Sequence, residues 1–199
     1  LPVGSYKIKR NSFFDISLNA YPGLTSGVEF RSGIPAGANV KSANPTLGFT
    51  APVGLSFSWG QVKQKTKPLN DSTVNRNEFN EFRNGKWISK YITGRSHSLF
   101  VSVLDIGAIT SFRLVNDDTE TLPEFNWDNI LAPGVYYVNG WKDTPLSLGI
   151  GVQYGPQLRT IEADGVSLEL DKSLFAVRVF LTVDVPLFNF HTRTTPKKM

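Results

Sequence analysis

Val53-Gly54-Leu55-Ser56-Phe57-Ser58-Trp59-Gly60 decides the fold, because it separates into two interleaved sets: Val53, Leu55, Phe57 and Trp59, and Gly54, Ser56, Ser58 and Gly60. A period of two places successive side chains on opposite faces of a strand, here one large apolar face and one face of small residues. The same pattern returns at Leu146 to Gly155, where Leu146, Leu148, Ile150, Val152 and Tyr154 alternate with Ser147, Gly149, Gly151, Gln153 and Gly155. It returns again in the row Phe175, Val177, Val179, Leu181, Val183, Val185 and Leu187, set against Ala176, Arg178, Phe180, Thr182 and Asp184. Near the start, Phe14, Ile16, Leu18 and Ala20 oppose Phe13, Asp15, Ser17 and Asn19.

In a soluble sandwich the second face would meet water and carry bulky polar groups. Here it is mostly Gly, Ser, Ala and Asn with isolated charges, which suits the crowded inside of a narrow barrel. The apolar row then faces lipid: Leu55, Phe57, Leu148, Ile150, Val177, Val179, Leu181 and Val183 are the predicted lipid-facing residues. A tilted membrane strand needs about 9 to 11 residues, against about 5 to 6 for a soluble one, and the final strand has length to spare.

The strands are expected at Ser12 to Tyr21, Gly27 to Gly33, Leu47 to Gly60, Ser96 to Leu104, Gly107 to Val115, Ala132 to Gly140, Leu146 to Gly155 and Leu174 to Phe190. The predicted fold is therefore all-β: an antiparallel up-and-down transmembrane barrel of about eight strands, an even number as bacterial barrels require. The break at Asp105-Ile106-Gly107 is read as a tight turn, with a bulged single strand as the other option. In that second case Tyr6 to Arg10, or another segment, has to supply a strand. One domain covers 1–199, with a long polar loop over 61–95 and a short tail over 191–199.

Composition agrees. Charged residues make up 19% of the 199-residue chain, below the roughly 25% usual for globular proteins, which leaves little charge to coat a wet surface. Without cysteine and with two histidines, thiolate zinc sites, thiol nucleophiles and disulfide scaffolds are excluded, and no cofactor or metal is expected. The segment Ala43 to Val62 is uncharged but too rich in Pro and Gly for a membrane helix. The sole Met is Met199, which points to a processed chain or the C-terminal part of a larger one.

The chain resembles the small outer-membrane β-barrel class of Gram-negative bacteria. Val183 to Phe190 is similar to the alternating, aromatic-ending last strand of such barrels, although His191 to Met199 follow it. The resemblance implies a lipid-embedded anchor or interaction module in the outer membrane. Its partners would be outer-membrane lipids, including lipopolysaccharide, and a periplasmic or surface protein. A soluble barrel for a small apolar ligand and a lipid-modifying enzyme are the competing readings.

Asp15, Glu29, Arg31, Arg113, Gln153, Arg178 and Asp184 fall on the small-residue face. Buried charge persists only when paired, so these predict a polar network filling the lumen. His97 lies between Ser96 and Ser98, but neighbours in a strand point to opposite faces, so no dyad is expected and no catalytic residue is assigned. Lys63, Lys65, Lys67, Arg76, Arg83, Lys86, Lys90 and Arg95 crowd one segment, mixed with Asp71, Glu78 and Glu81. That mixture reads as a solvated loop or a contact for anionic lipid, not for nucleic acid. Trp59, Tyr136, Tyr137, Trp141, Tyr154, Phe188 and Phe190 sit near strand ends, where interfacial aromatics belong. Leu122 to Ile130 is read as a short helix or loop over the barrel mouth.

Overall fold

The computed structural model describes residues 6–31, 42–67, 78–83, 86–107, 112–113, 131–155, 161–163, 166–168 and 174–194. A short helix, α1 (Tyr6–Arg10), precedes β1 (Phe14–Ala20), β2 (Gly23–Arg31), β3 (Ala43–Thr50), β4 (Pro52–Lys67), β5 (Glu78–Arg83) and β6 (Lys86–Asp105). There follow β7 (Phe112–Arg113), β8 (Leu131–Gly140), β9 (Leu146–Tyr154), β10 (Ile161–Ala163), β11 (Val166–Leu168), β12 (Leu174–Val183) and β13 (Val185–Arg193). Every pairing is antiparallel. The main sheet runs β13-β1-β4-β6-β8-β9-β12-β2-β3-β7, β5 adds to β6, and β10 and β11 form a separate hairpin.

Several strand boundaries are kinks within one ladder. Ala20 pairs with Val53 and Gly23 with Thr50, so the register of β1 on β4 continues unchanged as β2 on β3. Between them the Tyr21 N–H donates to Pro52 O at 3.0 Å, and Val183 N–H donates to Pro22 O at 2.9 Å. Pro22 and Pro52 lack an N–H and interrupt the bonding pattern without ending the strand. The expected connection between Tyr21 and Gly27 is therefore absent: Gly23 to Ser26 are themselves paired strand residues.

The turn expected at Asp105 to Gly107 is likewise absent. β6 is antiparallel to β4 and β7 to β3. Since β3 and β4 are one run of chain interrupted at Ala51, β6 and β7 point the same way, which a hairpin forbids. The irregularity is held by the Asp105 carboxylate, which accepts from Ala51 N (2.8 Å), Thr50 Oγ1 (2.8 Å) and Gly107 N (3.1 Å). Tyr6 to Arg10 do not supply a strand, because they form α1.

Two other boundaries shift. The described residues of the segment 61–95 are strand rather than loop: Val62 to Lys67 pair with Trp87 to Ile92, and β5 covers the other side of β6. Arg76 and Leu122 to Ile130 lie outside the described residues. The last strand passes its proline, with Pro186 opposite Asn19, and absorbs two register shifts before Phe14 meets Arg193. His191 is thus a strand residue rather than part of a tail.

Burial follows the alternation. β3 reads exposed, buried, exposed, buried from Ala43 to Thr50, and β9 and β12 do the same over most of their lengths. On the buried side Tyr21, Phe100, Tyr136, Val138 and Phe180 form an apolar cluster, with Tyr21 edge-on to Phe100 at 4.7 Å and Phe180 5.1 Å from Tyr136. Gly149 makes room for it, since a Cβ there would stand 2.1 Å from the Phe180 ring. Gly149→Ala is expected to lower stability by about 1 to 3 kcal/mol, the usual cost of overpacking, read as a lower denaturant midpoint.

The short turn Trp141 to Pro145 between β8 and β9 marks one end of the sheet. There the Gly60 N–H donates to Ser12 O at 2.9 Å, placing α1 and the paired extensions of β4 and β6 beyond Gly60 at the same end. The connections 31–43, 113–131 and 154–174 leave from the opposite end.

Candidate functional site

The buried face is polar. Asp184, in the gap between β12 and β13, is its centre at the helix end: Lys9 Nζ lies 2.6 Å and Arg10 Nη2 3.8 Å from its carboxylate, and Asn19 Nδ2 donates to it at 2.9 Å. Lys9 also donates to the Tyr21 hydroxyl at 2.8 Å. From Tyr21 a run of hydroxyls continues through Ser56 (3.5 Å), Ser58 (3.0 Å) and Ser98 (2.8 Å). Arg10 closes the short turn, donating to the carbonyls of Trp141 and of Leu146, the latter at 3.1 Å. Burial works to lower the Lys9 pKa, but Asp184 and Tyr21 outweigh it and hold it above the ordinary lysine value. Arg10, where burial dominates, is held below the ordinary arginine value.

Beyond the aromatic cluster lies a second polar group. Arg178 pairs with Glu29 at 3.3 Å and with Asp105 at 3.7 Å, and Tyr136 turns its hydroxyl to Gln153 Oε1 at 3.0 Å. A third fastens the first strand to the last: Asp15 accepts from Ser17 (2.8 Å), from Thr192 (2.8 Å) and from Asn189.

Asp15, Glu29, Gln153, Arg178 and Asp184 are thus buried and bonded, though in three groups rather than one. The side chains of Arg31 and Arg113 lie outside the described residues. Lys9, Arg10 and Asp105 belong to the interior and were not expected there. The first two precede the first strand, the nearest acid in sequence, Asp15, bonds elsewhere, and Asp105 sits in a segment that reads as turn chemistry.

The other face is apolar. Leu55, Leu148, Ile150, Val177, Val179, Leu181 and Val183 are exposed, and Phe57 is half-buried. Trp59, Tyr137, Trp141, Tyr154, Phe188 and Phe190 are exposed as well. Tyr136 is not among them: it is buried in the aromatic cluster. Ser96 and Ser98 are buried while His97 points outward to Tyr137 and Asn139. Opposite faces of a strand keep either hydroxyl from the imidazole. Among the described residues no group of His, Asp or Glu could hold a metal ion, and no helix is long and apolar enough to cross a membrane.

Comparison with protein-family models, with curated proteins and with solved structures returns no match.

Proposed function

We propose that the chain is a membrane-embedded antiparallel barrel, a membrane anchor or structural or interaction module of a Gram-negative outer membrane, closed by six long runs of chain rather than eight. The observation that carries this reading is one outward circuit. Leu18 pairs with Leu55, Leu55 with Val101, Val101 with Val135, Val135 with Val152, Val152 with Val177 and Val177 with Val28. Each is aliphatic, and the circuit returns to the run of chain it left.

The inward circuit Asp15, Ser58, Ser98, Val138, Gly149, Phe180, Thr25 returns in the same way. It comes back ten residues along the first run, and for six strands that stagger implies a tilt of about 50° and an advance of about 2 Å along the axis per residue. The backbone ring is then roughly 15 Å across, space that side chains fill, so a pore is not expected. Closure would also satisfy every backbone group without an edge, as a bilayer demands.

Burial supports the same orientation. Among the described residues seven apolar side chains are buried, against twenty-two polar or charged ones, while twenty-eight large apolar ones are exposed. A soluble barrel for an apolar ligand needs the reverse. On these axial positions Trp59 and Trp141 stand about 12 Å to one side of the middle and Tyr154 and Phe175 a similar distance to the other, which matches a lipid band about 25 Å tall between aromatic girdles.

Nitroxide labels at Leu55, Val101, Val135, Val152 and Val177 test the reading. All are expected to meet apolar oxygen and to be shielded from a water-soluble nickel chelate once the chain is in phosphatidylcholine vesicles. Chelate access at these sites, or a chain that stays monodisperse in buffer without detergent, would reject it.

A further inference from the structure

Toward the helix end the outer wall of β6 and β8 changes in steps. Leu99 pairs with Tyr137 and His97 with Asn139; beyond Ser96 and Gly140 come Arg95, Trp141 and Lys142, all exposed. Gly94, at φ +80°, holds a backbone shape that favours glycine, and the Lys142 stem lies along it, with Cγ 3.2 Å from where a Cβ would stand. Two cations from neighbouring runs of chain thus share one rim. Arg95 has no ion pair among the described residues, and Lys142 faces the exposed Asp143 at 3.8 Å, a contact worth little in water.

One step nearer the apolar band, the Tyr137 hydroxyl and the Asn139 amide nitrogen both approach His97 Nδ1. The Asn139 amide nitrogen can only donate, so against it Nδ1 is the acceptor and the hydrogen is assigned to Nε2. Among the described residues Nε2–H meets no acceptor.

Building on the barrel reading above, we propose that this wall binds one anionic membrane phospholipid. Its phosphate sits between Arg95 and Lys142, an ester carbonyl accepts from His97 Nε2–H, and its chains lie along Leu99, Val101 and Val135. The axial positions agree, since Arg95 and Lys142 stand about 13 to 15 Å from the middle of the band, where a hydrocarbon core about 30 Å thick ends. The source is phospholipid rather than lipopolysaccharide: although β4 and β6 also extend beyond the wall at this end, the one short turn is here and the three long connections 31–43, 113–131 and 154–174 leave the other end, and short turns in such barrels face the periplasm.

The test uses the full chain in phosphatidylcholine vesicles holding a minor share of phosphatidylglycerol brominated on its acyl chains, compared with an equal share of brominated phosphatidylcholine. Brominated phosphatidylglycerol is expected to quench tryptophan fluorescence several-fold more. Arg95→Gln with Lys142→Gln should abolish the difference, and Lys7→Gln with Lys63→Gln, an equal loss of charge at the same end, should leave it. Equal quenching by the two lipids, loss of the difference in the control pair, or displacement of phosphatidylglycerol by lipopolysaccharide would each overturn the site. If brominated phosphatidylcholine as the bulk lipid gives no quenching at all, the barrel reading fails rather than the site alone.

Discussion

Asp184→Ala is expected to lower the unfolding free energy by about 3 to 5 kcal/mol, because removing one partner of a buried pair strands the other charge in the interior. The Lys9 and Asp184 side chains are 2% and 1% exposed, so solvent screens the pair little. The same substitution takes an acceptor from Asn19 and a second carboxylate contact from Arg10, while Arg10 keeps its carbonyls at the short turn. Lys9→Met combined with Asp184→Leu should recover much of the loss, since an apolar pair of similar volume carries no desolvation cost. Denaturant unfolding from vesicles of the parent chain, of Asp184→Ala and of the double variant gives the three free energies to compare.

The pair also carries a pH signature. The Lys9 pKa is raised on folding, so its contribution is fully present below the unfolded value of about 10.4 and is lost as pH rises through the higher folded value. The parent chain should lose stability in strongly alkaline buffer. In Asp184→Ala the carboxylate is gone and only Tyr21 still offsets burial at Lys9, so the gap between the two proteins should narrow as pH rises. A gap constant from neutral to strongly alkaline pH would mean that the pair contributes nothing.

What the sequence made legible was everything that repeats with period two. Val53 to Gly60, Leu146 to Tyr154 and Phe175 to Val183 are strands with the faces assigned to them, because alternation is a local property that tertiary structure can only accept or invert. The breaks were less legible, and for one reason. Pro22-Gly23 and Asp105-Ile106-Gly107 carry turn chemistry, yet the first lies inside a continuous ladder and the second lies between the β4–β6 and β3–β7 pairings rather than in a hairpin. Pro22 needs only a carbonyl for Val183 to donate to, and Asp105 binds the backbone groups that its own irregularity frees. Whether a proline or an Asp-Gly segment ends a strand is decided by the neighbouring strand, which local sequence does not encode.

The interior was half legible for the same reason. Asp15, Glu29, Gln153, Arg178 and Asp184 declare themselves by standing on a face of small residues. Lys9 and Arg10 belong to α1, and nothing in Tyr6-Lys7-Ile8-Lys9-Arg10 marks it as a plug. Their partner is 175 and 174 residues away, so the pair exists only once the first and last runs of chain meet. Tyr136 and Tyr137 both read as interfacial aromatics, yet neighbours in a strand point to opposite faces and one must turn inward; the parity that separates them is fixed by pairing with Phe100 and Leu99.

The second large effect is expected at Leu181, and here the sign of the result separates a bilayer from water. Leu181 is exposed, pairs with Leu148 on β9 and with Leu24 on β2, and both of those side chains are exposed as well. On the proposed tilt it lies level with Tyr21, Tyr136 and Gly149, near the middle of the apolar band. Were this face wet, Leu181→Arg would be a surface change away from any buried contact, worth within about 0.5 kcal/mol either way. In a bilayer the guanidinium at the midplane costs about 2 to 4 kcal/mol. A second Arg placed at Phe175, which is level with the girdle, should cost about 0 to 1 kcal/mol, because the penalty fades toward the interface. Refolding of the parent chain and the two variants into vesicles, followed by denaturant titration, should therefore give a depth-dependent series. Equal and negligible costs at both positions would place this face in water and leave the lipid-embedded barrel without support.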